Sequence, residues 1–278
     1  MPTLRGGLIG AHISRTRLPA ALEIMCAASG WTLDWQLIDT AEDPSFDFDA
    51  TIAQARMDGW TGMTVTHPWK THARALAGDG MAPEVAHLGA SNTLVFGGTL
   101  TGHNTDYTGF LAALDEAGIG EIRDVTVMGA GGVAEAVVPA LVERQKAGAR
   151  IGVFDIDPNR AEALARRAGA TVLKKGDLTQ ARNRDHGLVN CTPLGMADYP
   201  GDAFDWLTPT NDPPKWAFDA VYTPVWTPFL SAARAAGLQT ITGFDLFRHM
   251  AIRTFRAYTG VALDPSAILP QLARLEPR

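Results

Sequence analysis

The sequence predicts an α/β fold of two domains, the first of them built on a mostly parallel sheet. Two observations support this prediction. Short β-like runs alternate with helix-like runs over the first hundred residues, and residues 125–169 read as an unbroken strand, glycine turn, helix, strand and helix. Such alternation is the pattern of βαβ units. The chain has 278 residues, of which 46% are apolar and 19% charged, and this composition supplies enough apolar side chains for two cores.

The elements follow in order along the chain. The run GGLIG predicts the first strand, and PAALEIMCAASG predicts the first helix, which ends at Gly30 as a C′ glycine. LDWQLID and WTGMTVT predict two further strands, with DATIAQARMDG as a helix between them. The helix-like TDYTGFLAALDEAG leads into the mid-chain unit, after which HGLVNCTP and WAFDAVYTP predict weaker strands. From Phe244 the pattern is helical, with a break near TGVALDP.

The position of the mid-chain unit predicts the domain boundaries. Because that unit is self-contained, the segments on either side of it are expected to pack together. Residues 1–105 with 245–278 then form one domain and residues 106–244 the other, with the ligand in a cleft between them.

Charge and composition exclude several classes of protein. The formal net charge is -6 without a basic block, so we expect no nucleic-acid partner. No window approaches the roughly 20 apolar residues of a membrane span, and the N-terminal residues lack a signal-peptide run. Cys26 and Cys191 match no redox or ligand spacing and are expected to be reduced thiols in a cytoplasmic protein. The histidines show no metal-ligand spacing, so no metal is expected.

A glycine turn opens the mid-chain unit. GAGGVA directly follows the strand VTVM and begins a helix, which is the G-x-G-x-x-A form of the dinucleotide fingerprint. Gly129 permits a tight turn, Gly131 lets a pyrophosphate approach the backbone, and Ala134 lets helix and strand pack closely. The helix N-terminus favours the anionic diphosphate. The alternative is a bare turn, but the context predicts a Rossmann domain, with cofactor contacts at Gly129, Ala130, Gly131, Gly132 and Val133.

Asp155 ends the next strand, in GVFDID, and indicates which dinucleotide is bound. A carboxylate there accepts hydrogen bonds from both ribose hydroxyls and repels a 2′-phosphate, so NAD is favoured over NADP. Ile156 follows as a further cofactor contact. Arg160 comes five residues after Asp155 and is interpreted as surface charge rather than as a phosphate ligand.

Eight segments in order resemble those of the shikimate dehydrogenase family, in particular its NAD-dependent quinate/shikimate branch. They are ISRTRLP, TVTHPWK, GASNTL, GHNTDYTGF, GAGGVAEA, NCTPLGM, DAVYTPVWTPFL and TGFDLFRHM. The resemblance implies that Lys70 and Asp106 are the catalytic pair. It also implies substrate-binding residues: Ser14 and Thr16 for a carboxylate, Thr66, Asn92 and Asp106 for ring hydroxyls, and Tyr222.

The resemblance extends the cofactor site beyond the glycine turn. Gly243 and Leu246 stand where the family's last motif lines the nicotinamide. In the segment NCTPLGM, Thr192 is interpreted either as a nicotinamide contact or as a residue of a simple turn. The remaining predicted cofactor contacts are Pro193, Leu194 and Ala220.

A lysine beside a carboxylate suits the chemistry that the resemblance implies. Oxidation of a secondary alcohol needs a group that takes the hydroxyl proton, and reduction needs the same group to return it. A partly desolvated lysine serves both directions, and its ammonium stabilises negative charge on oxygen. The alternative for Lys70 is a solvated lysine at a strand end. His67 in the same loop is interpreted as shaping the site rather than as a base.

Two positions depart from the family pattern. Thr64 replaces a common asparagine, and Met250 replaces a common substrate-binding glutamine after Gly243. Both are expected to line the substrate pocket, and fewer hydrogen-bonding groups there favour a ligand with fewer hydroxyls.

The resemblance therefore implies an NAD-dependent oxidoreductase that acts on a secondary hydroxyl of a cyclic hydroxy acid, as in the conversion of shikimate to 3-dehydroshikimate. The expected protein is a monomer or homodimer. The alternative is a catalytically weak relative that senses NAD or a shikimate-like acid.

Overall fold

The computed structural model of the chain describes residues 1–181, 187–204 and 214–277. Those residues form an α/β fold that divides into two compact units. Unit 1 comprises residues 1–109 and 248–275, and unit 2 comprises residues 110–247 and 276–278.

Unit 1 is built on a five-stranded sheet in the order β2-β1-β3-β4-β5. The strands are β1 (Thr3–Gly10), β2 (Thr32–Asp39), β3 (Gly62–Val65), β4 (Thr93–Phe96) and β5 (Leu100–His103). β1 runs parallel to β2 and β3, whereas β4 is antiparallel to both β3 and β5. The helices of unit 1 are α1 (Leu18–Ser29), α2 (Phe48–Met57), α3 (Lys70–Ala77) and α10 (Pro265–Leu272).

Two long helices belong partly to each unit. They are α4 (Thr105–Glu116) and α9 (Gly243–Thr259). The unit boundaries, after residues 109 and 247, lie inside these helices. The predicted boundaries, after residues 105 and 244, fall near the helix starts instead, because a helical pattern continues through the boundary and carries no mark of it.

Unit 2 contains a six-stranded, fully parallel sheet in the order β11-β10-β9-β6-β7-β8. Its strands are β6 (Val125–Met128), β7 (Ile151–Phe154), β8 (Thr171–Val172), β9 (Gly187–Asn190), β10 (Trp216–Asp219) and β11 (Gln239–Ile241). Its helices are α5 (Ala134–Glu143), α6 (Pro158–Ala168), α7 (Lys175–Ala181) and α8 (Pro228–Ala235). Counted within the unit this order is 3-2-1-4-5-6, the Rossmann order.

Local signals explain where the elements end. Gly30 closes α1 in the left-handed conformation with φ 72°, as predicted. In α6, the Asp157 side chain accepts a hydrogen bond from the backbone N–H of Asn159, and Gly169 ends the helix with φ 75°. The central strands of unit 2 are buried on both faces because helices cover a parallel sheet on each side, and for that reason they read as continuous apolar runs.

The predicted α/β fold with a Rossmann unit is confirmed, and one feature of unit 1 was not predicted. β4 and β5 form a hairpin joined at Gly97 and Gly98, so the sheet is mixed at one edge. Each of these strands is only four residues long, too short for its alternation to stand out from the surrounding loop.

Candidate functional site

The Lys70 and Asp106 side chains meet in unit 1. Lys70 is the first residue of α3, and Asp106 lies in the first turn of α4. Lys70 Nζ donates a hydrogen bond to Asp106 Oδ2 over 2.6 Å, and the two side chains are 15% and 11% exposed. The pair is therefore largely shielded from water but reachable by a small ligand.

Asn92 is held beside this pair by a cluster of threonines. Its Oδ1 accepts from the Thr105 backbone N–H at 2.7 Å, and from the hydroxyls of Thr105 and Thr93 at 3.0 Å each. Asn92 is 2% exposed, and its own backbone is paired with Val65 and His103. These contacts fix the plane of the amide and leave its Nδ2 to donate to a ligand.

The segment between β1 and α1 carries Ser14 and Thr16. The carboxylate of Asp39, at the end of β2, accepts from the backbone N–H groups of His12 and Ile13 at 3.0 Å each. These donors and the N–H of Ala41, which has the largest effect, hold the pKa of Asp39 below its ordinary value. Ser14 is exposed, whereas the half-buried Thr16 accepts from the N–H of Leu18 at 3.3 Å. Sequence reasoning missed Asp39, although its place at the carboxyl end of a predicted strand was a usable signal.

Thr66 follows β3, and its backbone N–H donates to Ile9 O at 2.9 Å. A Cβ at Gly10 would collide with Cγ2 of Thr66. The glycine at position 10 therefore lets the Thr66 side chain lie against β1. His67 is exposed, and its carbonyl accepts from the Ala11 N–H at 2.8 Å.

The Thr64 hydroxyl has a hydrogen-bond partner within unit 1. Its Oγ1 lies 2.7 Å from the hydroxyl of Tyr258, and Thr64 is 5% exposed. Burial raises the pKa of the Tyr258 phenol, so that group stays protonated and hydrogen-bonded. A partner 194 residues away in the sequence therefore shares the Thr64 hydroxyl with any ligand, and sequence reasoning missed it.

Met250 is partly buried and is tied to the threonine cluster through α9. Its Sδ lies 3.4 Å from Oγ1 of Thr254, one helical turn later. The same Thr254 hydroxyl lies 2.9 Å from that of Thr105, which contacts Asn92. A Cβ at Gly109 would lie 2.8 Å from the backbone nitrogen of Met250, so α4 and α9 approach closely at this point.

The glycine turn of unit 2 has the shape that a dinucleotide requires. Gly129 has φ 95°, and a Cβ there would lie 2.9 Å from the Cys191 carbonyl. A Cβ at Gly131 or Gly132 would meet nothing within 4 Å. The turn is thus closed on the protein side and open on the other, and the fully buried Ala134 begins α5 directly after it. The residues present fit a bound pyrophosphate.

Asp155 holds the glycine turn from the end of β7. Its Oδ2 accepts from the backbone N–H of Ala130 at 2.7 Å, and its Oδ1 accepts from that of Asp157 at 2.8 Å. Each carboxylate oxygen has a second lone pair for a ribose hydroxyl. Ile156 is 94% exposed beside it, and Arg160 lies 3.6 Å from the Asp157 carboxylate on the surface.

The segments after β9 and β10 carry the other predicted cofactor contacts. The Thr192 hydroxyl donates to Asn190 Oδ1 at 2.7 Å and accepts from the Leu194 N–H at 3.2 Å, so turn chemistry occupies it. Pro193 is exposed, and the N–H of Ala220 donates to Asn190 O at 2.9 Å.

The start of α9 completes this part of unit 2. A Cβ at Gly243 would lie 2.5 Å from the carbonyl oxygen of Ala220, so only glycine fits there. Leu246 is buried, and the ring of Tyr222 stacks on Phe247 with centroids 5.7 Å apart. These residues gather at the carboxyl edge of the sheet, where open α/β sheets bind ligands.

Within residues 1–181, 187–204 and 214–277, no group of three or more histidines, cysteines, aspartates or glutamates is placed to hold a metal ion. In the same part of the chain, no helix has both the length and the apolar character needed to cross a bilayer.

Comparison with known proteins places these features in a family. Residues 8–94 match the shikimate dehydrogenase substrate binding domain. The chain is 37% identical over 271 residues to a quinate/shikimate dehydrogenase (NAD(+)) of Corynebacterium efficiens, covering 93% of each protein. It is also 37% identical over 258 residues to a shikimate dehydrogenase (NADP(+)) of Acidiphilium cryptum, covering 92% of this chain and 90% of that protein.

Among solved structures, quinate dehydrogenase from Corynebacterium glutamicum in complex with NAD is similar, with a TM-score of 0.87 and 34% identity. The match covers 99% of this chain and 100% of that one.

Proposed function

The chain belongs to the shikimate dehydrogenase family, and we propose that it is an NAD-dependent oxidoreductase acting on a secondary hydroxyl of a cyclic hydroxy acid. Shikimate and quinate are the type substrates, and the reaction with shikimate yields 3-dehydroshikimate. The observation that carries the proposal is the shielded Lys70–Asp106 pair, with its 2.6 Å hydrogen bond.

Lys70 is the acid–base group in this proposal. During oxidation, its amine form takes the proton of the reacting hydroxyl, and during reduction its ammonium form returns that proton. Asp106 holds Nζ in place and accepts a hydrogen bond from the neighbouring ring hydroxyl. Because the pair is mostly shielded from water, the ammonium stabilises a developing alkoxide more strongly than an exposed lysine would.

The remaining polar groups of unit 1 orient the acid. Ser14 and Thr16 donate hydroxyl hydrogen bonds to its carboxylate, while Thr66 and the Nδ2 of Asn92 bind ring hydroxyls. Tyr222, from unit 2, is a further substrate contact. Thr64 also lines the pocket in this proposal, with its hydroxyl shared with Tyr258.

The cofactor proposed for this site is NAD, whose nicotinamide accepts the hydride when it is bound. Gly129, Gly131 and Gly132 expose backbone N–H groups to its diphosphate, and Asp155 accepts from the adenosine ribose. The carboxylate of Asp155 lies beside the glycine turn, while Arg160, the nearby cation, lies 3.6 Å from the Asp157 carboxylate. The negative charge of Asp155 favours NAD over NADP.

A screen of NADH formation tests the proposal. Purified protein is assayed with shikimate, quinate and less hydroxylated cyclic acids, each with NAD and with NADP. We expect turnover with at least one acid and a higher kcat/KM with NAD. A protein that binds NAD and an acid but forms no NADH is the weak sensor, the alternative that the Met250 replacement favours.

A further inference from the structure

A buried carboxylate lies beneath the cofactor side of unit 2. Asp219, the last residue of β10, is 0% exposed. Its Oδ1 accepts from Asn190 Nδ2 and from the backbone N–H of Val221, both at 2.9 Å, and its Oδ2 accepts from the Thr227 hydroxyl at 2.6 Å. None of the ion pairs found among the described residues includes it.

The three donors belong to three different segments. Asn190 ends β9, and its side chain also binds Thr192 and Leu194, so it sets the turn that follows β9. Val221 is the second residue of the segment after β10, directly after Ala220. Thr227 is the N-cap of α8 and accepts from the N–H of Leu230 at 3.2 Å. Asp219 is thus the shared acceptor that joins two loops and a helix start.

We propose that Asp219 is a positioning residue for NAD, which holds the segments 191–196 and 220–227 in the shape that receives the nicotinamide half of the cofactor. The proposal rests on the proposed function, because it assumes that these segments border bound NAD. Asp219 itself has no exposed surface and acts only through Asn190, Val221 and Thr227.

A carboxylate is needed here, rather than an amide of the same shape. All three partners donate to Asp219, so both of its oxygens must accept. Asparagine would turn an NH₂ group toward either the Thr227 hydroxyl or the donors on the other side. One buried hydrogen bond would then be lost, and the group left unpaired would be costly.

The ionised form of Asp219 is held by dipoles rather than by a cation. Burial raises the pKa of Asp219 to about 6, and the carboxylate of Asp202 acts in the same direction. The Cys191 thiol, whose pKa is itself raised by burial, is the other titratable group that interacts with Asp219. Below that pH one oxygen of Asp219 carries a proton and accepts less well, so the bond to one of its partners changes and NAD affinity should fall, although the folded protein as a whole binds the proton more tightly than the unfolded chain.

Asp39 provides a matched comparison in unit 1. It also ends a strand and also accepts three hydrogen bonds, in its case all from backbone N–H groups, but it holds the segment with Ser14 and Thr16. If Asp219 acts on the cofactor side alone, Asp219→Asn changes NAD binding and Asp39→Asn changes the KM for the acid. A general loss of fold would change both together.

The experiment measures NAD dissociation constants by calorimetry, from pH 5 to 8, for wild type, Asp219→Asn, Thr227→Val and Thr227→Ser. Wild-type binding of NAD tests the proposed function, and the ratios between variants test the role of Asp219. We expect Asp219→Asn to weaken NAD about 10–100-fold at pH 7.5, the cost of one unpaired buried group. Thr227→Val should weaken NAD binding less than Asp219→Asn does. Thr227→Ser keeps the hydroxyl and should bind NAD as tightly as wild type.

Hydrogen exchange of the NAD-free protein gives a second readout. Amides of residues 191–196 should exchange faster in Asp219→Asn and Thr227→Val than in wild type, and those of residues 12–16 should not. The wild-type loss of NAD affinity below about pH 6 should be absent from Asp219→Asn. Unchanged NAD affinity in both folded Asp219→Asn and Thr227→Val would overturn the proposal and leave Asp219 a purely structural residue.

Discussion

Lys70 Nζ and Asp106 Oδ2 lie 2.6 Å apart although 36 residues separate them in the chain. The first turns of α3 and α4 bring them together, and Ser91, whose N–H donates to Lys70 O at 2.9 Å, links the intervening segment to α3. The direction of the lysine side chain is therefore fixed before a ligand arrives.

Removal of the lysine should abolish most turnover while NAD still binds. In Lys70→Ala we expect kcat to fall about 10²–10⁴-fold, the usual contribution of a general acid–base group. NAD affinity, measured by calorimetry, should stay within a factor of two or so, because Lys70 lies in unit 1. Turnover near the wild-type rate would leave Lys70 only a structural ion-pair partner of Asp106.

Asp106→Asn should affect both rate and binding. The variant loses the charge that holds Nζ and an acceptor for a ring hydroxyl, so kcat should fall and the KM for the acid should rise. Steady-state kinetics separate these effects. Glu116, at the far end of the same helix, supplies a control: Glu116→Gln should change neither constant.

Asp155→Ala should relax cofactor choice. NAD should bind more weakly, and the ratio of kcat/KM for NAD to that for NADP should fall, because the carboxylate no longer binds ribose hydroxyls or repels a 2′-phosphate. The glycine turn also loses the bond to the Ala130 N–H. Asp155→Asn keeps an acceptor for that bond but removes the negative charge. It therefore distinguishes the effect of the charge from the effect of losing support for the glycine turn. A wild-type preference for NADP would contradict the interpretation of Asp155.

Met250→Gln should improve kcat/KM for shikimate or quinate several-fold at most, because a recovered hydrogen bond contributes about 0.5–1.5 kcal/mol. Thr254 competes for the new amide, since its hydroxyl already lies 3.4 Å from the group at position 250. A higher kcat/KM in the double variant Met250→Gln/Thr254→Val than in Met250→Gln would show that the Thr254 hydroxyl binds the introduced amide. If wild type already has a micromolar KM for shikimate and Met250→Gln harms it, a less hydroxylated substrate is ruled out.

The free energy of unfolding should depend on the protonation of Asp219 between pH 4 and 6. Its folded pKa, about 6, lies above the ordinary value of 3.8, so the folded state binds this proton more tightly than the unfolded state does. The stability contributed by the protonated group is complete below pH 3.8 and is lost as the pH rises through 6. Urea unfolding should show wild type losing stability relative to Asp219→Asn over this range. A constant difference would contradict the raised pKa.

Local patterns predicted the fold and many of the candidate residues, and long-range pairing accounts for what they missed. The strand-end position of Asp155 and the glycine turn were visible because both lie within one βαβ unit. The contact of Thr64 with Tyr258 was not visible, since nothing local marks a tyrosine as the partner of a strand 194 residues earlier. Asp39 and Asp219 were missed for a different reason: each binds backbone or uncharged groups, so neither belongs to a recognisable pair.

The division of the chain also sets the order in which its parts become complete during synthesis. Unit 1 is interrupted by residues 110–247, so its last segment, residues 248–275, leaves the ribosome only after nearly all of unit 2. Until then the buried hydroxyls of Thr64 and Thr105 lack Tyr258 and Thr254. Because domains generally fold as units, unit 2 can finish folding before residues 248–275 are available to complete unit 1. A chain that ends at residue 247 and has been released from the ribosome should therefore contain a folded Rossmann unit and a protease-sensitive N-terminal half.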